Sequence, residues 1–150
     1  MLKESYTYIS FKRKTFHVFR SEGDNGSIPK MVIFSYAGKK LWNLGFGDLQ
    51  PDGDIDDSIV SNNNDLIKVI STVAKIAYEF SDKYPLRSIQ IKPVDEKRRK
   101  LYNHVFRRNY NIINIDFEII GVNGRRGEDY SPKKFYESFK LNRRLSNEKE

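Results

Sequence analysis

Apolar residues recur at intervals of three and four positions in the middle of the chain, between residues 65 and 84. This spacing places them on one face of an α-helix. Asn63, Asn64 and Asp65 each suit the N-cap position, and Pro85 cannot easily continue a helix. We therefore predict one continuous helix whose buried face comprises Leu66, Val69, Ile70, Val73, Ala77 and Phe80.

Segments rich in aromatic and β-branched residues precede this helix and predict strands. Residues 15–19 and 28–34 flank the polar segment 21–27, whose Gly, Asn and Asp residues are typical of a turn. The two segments therefore predict a β-hairpin. Residues 41–46 predict a third strand, and residues 55–60 add a short fourth one.

The second half of the chain alternates between the two kinds of pattern. The predicted elements are a short strand at residues 89–91, a helix from Asp95, a strand at residues 117–122 and a loop at residues 124–132. Residues 135–141 form either a helix or a last strand, and their alternating apolar residues favour the strand. The resulting order of strands, helix, strand, helix, strand and strand is typical of the α+β class. We predict a largely antiparallel sheet with two main helices.

The length and composition limit the class of protein. A chain of 150 residues fits one domain, so we expect a single domain over residues 1–145 and a disordered tail over residues 146–150. No segment approaches the roughly 20 consecutive apolar residues that span a bilayer. There is no cysteine, which fits a reducing compartment. We expect a cytoplasmic protein that has no membrane partner.

The net charge of +7 is unevenly distributed. Residues 41–67 contain six Asp and no Lys or Arg, whereas residues 92–108 and 125–144 are rich in Lys and Arg. A basic half attracts phosphate backbones or acidic proteins through its long-range field, and salt screens that attraction. The alternative is a solvated face whose charge only aids solubility.

The densest group of cations lies on the second predicted helix and is the candidate site for nucleic acid or another anion. Arg98 precedes Tyr102 by four positions, so the two share a helix face, where the arginine would bind phosphate while the ring stacks on a base. In the alternative interpretation, Tyr102 packs in the core and Arg98 covers it. We expect that Arg98, Arg99 and Lys100 need no buried partner. The candidate residues are Lys97, Arg98, Arg99, Lys100, Arg107 and Arg108.

The acidic segment is a candidate site for a basic protein partner through Asp48, Asp56 and Asp57. Asp52, Asp54 and Asp56 alternate as the first ligands of a calcium-binding EF-hand loop do, but Asp57 occupies the position that requires Gly. We therefore expect neither a metal nor a cofactor. The two histidines, at positions 17 and 104, give no Ser-His-Asp or Cys-His arrangement.

Several motifs resemble those of a family of short, uncharacterised bacterial proteins. They are Phe-Arg-Ser-Glu-Gly at residues 19–23, Asn-Leu-Gly-Phe-Gly-Asp at residues 43–48, Ser-Asn-Asn at residues 61–63 and Arg-x-x-Leu-Tyr at residues 98–102. This resemblance covers nearly the whole chain. That family has no established activity, so the resemblance implies no particular reaction.

Residues 65–122 are distantly similar to the second half of the Gcn5-related acyltransferase fold. This similarity implies that Tyr102 would be the general acid for a departing thiolate. It also implies a glycine-bearing loop for acetyl-CoA at residues 61–65, where this chain has no glycine.

Two functional hypotheses follow from these observations. The first is a small, basic, non-catalytic binding module that holds nucleic acid or a small protein partner. The alternative is an acyltransferase-like enzyme with Tyr102 as its catalytic residue, such as the toxin of a toxin–antitoxin pair that acts on RNA or the translation machinery.

Overall fold

The computed structural model describes residues 4–49, 55–56 and 63–145. The chain forms two compact units. The N-terminal unit comprises Met1–Ser35 with Leu44–Lys83, and the C-terminal unit comprises Tyr36–Asn43 with Tyr84–Glu150. The prediction of one domain over residues 1–145 stays a prediction, and the predicted tail lies outside the described residues.

The N-terminal unit contains an antiparallel meander and one helix. Strands β1 and β2 form one hairpin, β2 and β3 form a second hairpin, and β5 pairs with β4. The middle of β2 is in register with β3 through the pairs His17↔Val32 and Phe19↔Lys30. The elements are β1 (Ile9–Phe11), β2 (Phe16–Gly23), β3 (Gly26–Gly38), β4 (Leu41–Leu49), β5 (Ile55–Asp56) and α1 (Leu66–Lys83).

Helix α1 confirms the predicted helix, although its buried face differs from the expected one. Phe80 is fully buried and stacks on Phe34, with ring centroids 3.9 Å apart. Leu66 is half exposed, whereas Thr72 is fully buried. The Thr72 hydroxyl accepts a hydrogen bond from the Tyr6 N–H and donates one to the Lys68 carbonyl. Such a satisfied hydroxyl can enter the core, and an analysis of apolar spacing does not detect it.

The C-terminal unit contains the second helix and the remaining strands. The last residues of β3 and the first residues of β4 belong to this unit, because it includes Tyr36–Asn43. The start of β4 pairs with β6 in parallel. The strands continue in the order β6-β9-β7-β8, and each of these neighbours is antiparallel. The elements are β6 (Ser88–Ile91), α2 (Glu96–Asp116), β7 (Phe117–Asn123), β8 (Arg126–Asp129) and β9 (Ser138–Arg143).

An aromatic cluster forms the core of the C-terminal unit. Phe106 of α2 stacks on Phe139 of β9 at 4.2 Å between ring centroids. Tyr130 and Tyr136 lie beside them, and Tyr136 is fully buried. Gly121 of β7 leaves the space that the Tyr136 ring fills. The packing of this cluster fixes the face that α2 turns toward the sheet.

The predicted class is confirmed, because the described part of the chain is α+β, with a mostly antiparallel mixed sheet and two helices. Two local predictions were wrong. The segment 124–132, predicted as a loop, contains β8, and the last strand begins at Ser138 rather than at residue 135.

In the described residues, neither helix is long and apolar enough to cross a membrane.

Candidate nucleic-acid interface

Helix α2 presents a row of exposed basic residues to solvent. A helix turns by roughly 100° per residue, so Lys97, Lys100, His104, Arg107 and Arg108 fall within an arc of about 100°. All five are exposed. The buried Phe106 and Ile113 lie on the opposite side of the helix. We call the five exposed residues the cationic face.

Carboxylates are absent from the part of α2 that carries the cationic face. There is no Asp or Glu between Lys97 and Ile115. The nearest acidic residue, Glu96, lies 3.5 Å from Arg99 in an ion pair. The C-terminal unit as a whole has 18 Lys and Arg against nine Asp and Glu, a net charge of +9, whereas the N-terminal unit has nine against 11, a net charge of −2.

A loop after β8 brings a further cation near the cationic face. The Nε of Arg107 donates a hydrogen bond of 3.0 Å to the Pro132 carbonyl, which places the exposed Lys133 close by. Lys134 instead pairs with Glu128 at 2.9 Å. Their hydrogen bond raises the pKa of Lys134 and lowers the pKa of Glu128, so both remain charged at neutral pH. Lys133 is therefore the residue of this loop that extends the basic surface.

Arg98 differs from the prediction, because it is part of the helix cap. Asp95 caps α2, and its Oδ1 accepts a hydrogen bond of 2.8 Å from the Arg98 N–H. The Arg98 guanidinium donates to Oδ2 of the same carboxylate, and Arg98 is only 6% exposed. Arg98 itself is therefore buried, although the side chain of its partner Asp95 is 43% exposed, and nucleic-acid binding by Arg98 stays a prediction. A cation one turn into a helix is drawn to the carboxylate that caps it.

Arg99 and Tyr102 also lie away from the cationic face. Both are partly buried, and the helical rotation places each of them at least about 100° from its centre. The Nε of Arg99 is buried and has no hydrogen-bond acceptor within the described ranges. The structure thus brings together Lys97, Lys100, Arg107 and Arg108 but not Arg98, Arg99 or Tyr102. The catalytic role of Tyr102 stays a prediction.

The predicted acidic site is only partly described. Asp48 is 7% exposed, and its Oδ1 lies 2.5 Å from Nζ of Lys30, which is also buried. The backbone of Asp56 pairs with that of Asp48 across β4 and β5, and Asp57 lies outside the described residues. The Asp48 carboxylate is therefore directed inward to Lys30. Partner binding by these three residues stays a prediction.

Two of the motifs found in the sequence meet in a buried polar network. Asn63, 1% exposed, donates from Nδ2 to the carbonyls of Ser21 and Gly26, and its Oδ1 accepts from the Asn25 N–H. A Cβ at Gly23 would collide with the Asn63 carbonyl. These contacts join the β2–β3 turn to the start of α1. Residues 19–23 and 63 therefore stabilise the fold.

His17 is fully buried and its two ring nitrogens are both bonded. Nε2 lies 2.7 Å from the Lys14 carbonyl and so donates to it, which leaves Nδ1 to accept from the Ser10 hydroxyl at 2.8 Å. Burial lowers the pKa of His17 below its ordinary value of 6.5 and thus favours the neutral ring. A ring with no exposed surface cannot reach a substrate, so this Ser–His contact is structural.

The burial of His17 predicts a loss of stability in mild acid. Because its pKa is lower in the folded chain, the unfolded chain binds more protons as the pH falls below about 6.5. The free energy of unfolding, measured by urea titration between pH 7.5 and 5.5, should therefore decrease toward the acidic end. His17→Gln should remove most of this dependence. His104→Gln, which changes the exposed histidine, should retain it, and equal pH profiles for the two variants would contradict the assignment.

A family model described as a family of unknown function (DUF6934) matches residues 2–144. No curated protein and no solved structure matches the chain.

Proposed function

The chain belongs to DUF6934, a family of unknown function, and we propose from its own surface that it is a non-catalytic module that binds nucleic acid through the cationic face of α2. The observation that carries the proposal is the position of Lys97, Lys100, Arg107 and Arg108. All four are exposed on one side of one helix with no carboxylate among them. Mutual repulsion makes such a cluster unfavourable unless an anion offsets it.

The dimensions of the cationic face suit a phosphate backbone. From Lys97 to Arg108 the helix rises about 17 Å, which corresponds to about five base-pair steps of duplex DNA. An α-helix also fits the major groove. The four Lys and Arg side chains offer hydrogen-bond donors to phosphates, and the face has no Phe, Tyr or Trp on which a base could stack. Binding should therefore depend on phosphates and show little sequence preference.

The test is a fluorescence-anisotropy titration of a labelled 20-base-pair duplex at several salt concentrations. Four phosphate contacts predict a slope of about −3.6 in log affinity against log salt for a duplex, and about −2.8 for a single strand. Binding should therefore weaken roughly 100-fold between 50 and 200 mM salt. A wild-type protein with no salt-dependent binding would show that the cationic face only aids solubility.

The variant that tests the location replaces Lys97, Lys100, Arg107 and Arg108 together by Gln. The salt slope should fall to near zero, because each lost phosphate contact removes about one unit. The matched control replaces four exposed cations outside α2, which removes the same charge: Arg20, Lys39, Lys75 and Lys83. The control should keep most of the slope. Equal losses in both variants would mean that net charge, and not this face, attracts the nucleic acid.

A further inference from the structure

The C-terminal unit contains an open cavity at the end of its sheet, where β6 and β7 begin and β9 ends. Its volume is about 260 Å³. The polar residues of its lining are Arg87, Ser88, Glu118, Asn142, Arg143 and Arg144. We call this cavity the arginine hollow. It shares no residue with the cationic face, so an inference from it does not depend on the proposed function.

The composition of the arginine hollow is strongly cationic. Among the described residues, three arginines and one carboxylate, that of Glu118, line it. Glu118 accepts a hydrogen bond of 2.9 Å from Nδ2 of Asn142. Ser88 in turn donates its hydroxyl hydrogen to Oδ1 of Asn142. This row of bonded polar groups across β6, β9 and β7 makes the floor of the hollow hydrophilic.

Uncharged groups hold two of the arginines in place. The guanidinium carbon of Arg87 lies 3.6 Å from the centroid of the Tyr84 ring and 4.2 Å from that of Trp42. Arg144 donates from Nε and Nη2 to the backbone and side-chain oxygens of Asn114, both at 2.9 Å. These contacts restrict the side chains, and none of these particular contacts is with a carboxylate. Much of the rotamer entropy that a ligand would otherwise have to remove is therefore already lost in the folded chain.

Arg143 is the third arginine of the arginine hollow. Its guanidinium carbon lies over the ring of Phe117 at 5.4 Å from the centroid. Arg143 and Arg144 are adjacent at the end of β9, and Arg87 directly precedes β6, the strand that pairs with β9. Arg87 therefore meets the distant Arg143 and Arg144 because β6 and β9 pair.

We propose that the arginine hollow binds a phosphate monoester. The planar fork of arginine matches two phosphate oxygens at once, and a dianionic group can use more than one such fork. The volume lies just below the roughly 300–1,000 Å³ of typical small-molecule pockets, which suits a compact anion or the end of a longer ligand. The group can come from a free phosphorylated metabolite or from the phosphorylated end of a nucleic acid.

Isothermal titration with inorganic phosphate and with a nucleoside 5′-monophosphate, at ionic strength fixed by sodium chloride, tests the site. Both ligands should bind saturably, whereas the unphosphorylated nucleoside should not. Arg144→Gln should weaken binding roughly ten- to a hundredfold, and Arg144→Lys, which keeps the charge but loses the fork, should also weaken it at least about tenfold. Arg126→Gln, at an exposed position of the same unit, should leave the affinity unchanged.

Two oligonucleotides of one sequence, with a 5′-phosphate or a 5′-hydroxyl, identify the source of the phosphate. Tighter binding of the phosphorylated strand that Arg144→Gln abolishes would support the nucleic-acid end. Equal binding of both strands, together with saturable monophosphate binding, would support a small metabolite. No saturable binding of phosphate and monophosphate, or unchanged affinity in Arg144→Gln, would overturn the proposal. The fourfold Gln variant of the cationic face should still bind monophosphate, so failures of the two proposals can be distinguished.

Discussion

Gly121→Ala should destabilise the protein by about 3 kcal/mol, at the upper end of the range for overpacked cores. A Cβ on Gly121 would lie 2.5 Å from Cδ1 and Cζ of the Tyr136 ring. The ring cannot move aside easily, because Tyr136 is fully buried and its hydroxyl is bonded to Glu128 at 2.9 Å and to the Ser131 N–H at 3.1 Å. For a chain of this length the melting temperature should fall by roughly 6–12 °C.

Thermal unfolding followed by circular dichroism measures this effect, and Gly45→Ala is the matched control. Gly45 also lies in a strand, but the nearest atom to its added Cβ is the Ile33 carbonyl oxygen at 3.8 Å, an ordinary contact. The control should change stability by no more than about 1 kcal/mol in either direction. A Gly121→Ala protein that melts at the temperature of the control would contradict the close packing of the Tyr136 ring.

Asn103→Ala should lower the free energy of unfolding by about 3–4 kcal/mol, because it removes two buried hydrogen bonds. The side chain of Asn103 is 2% exposed and binds both backbone polar groups of Tyr136: its Nδ2 donates to the carbonyl at 2.8 Å, and its Oδ1 accepts from the N–H at 2.9 Å. Alanine would leave both groups unpaired in a site that excludes water, and each unpaired group costs about 1–3 kcal/mol.

Urea unfolding at neutral pH measures the effect of Asn103→Ala, with Asn111→Ala as the control. Asn111 lies on the same helix but is exposed, so its replacement should change the free energy of unfolding by no more than about 0.5 kcal/mol. Similar values for the two variants would mean that water or a rearranged backbone satisfies Tyr136. The interpretation of the polar contact as a major stabilising element of the C-terminal unit would then fail.

The parts of the fold that the sequence predicted correctly are those whose local pattern agrees with their packing. Helix α1 has apolar residues at helical spacing, and Asp95 marks the start of α2 as its N-cap. The β2–β3 hairpin follows from apolar segments around a polar turn. In each case the residues that determine the element lie within it, so no distant contact is needed to predict it.

The parts that were missed depend on contacts between distant segments. Strand β8 has only exposed residues and is a strand because β7 pairs with it, not because of its own composition. The bond between Arg98 and the Asp95 carboxylate was also missed, although the two residues lie only three positions apart. The arginine hollow was missed because Arg87 and Arg144 meet only when β6 pairs with β9. Sequence analysis does not detect such a site, because its residues are far apart in the sequence and form no local motif.

Strand β8 also has a consequence for how the molecules behave at high concentration. It ends the strand order among the described residues, so its outer backbone groups are a template on which another chain could add a strand. Its four positions carry Arg126, Gly127, Glu128 and Asp129. Charges of both signs on so short an edge oppose such addition, since an incoming apolar strand would have to remove them from water. The same polarity that hid β8 from sequence analysis therefore protects the sheet against aggregation.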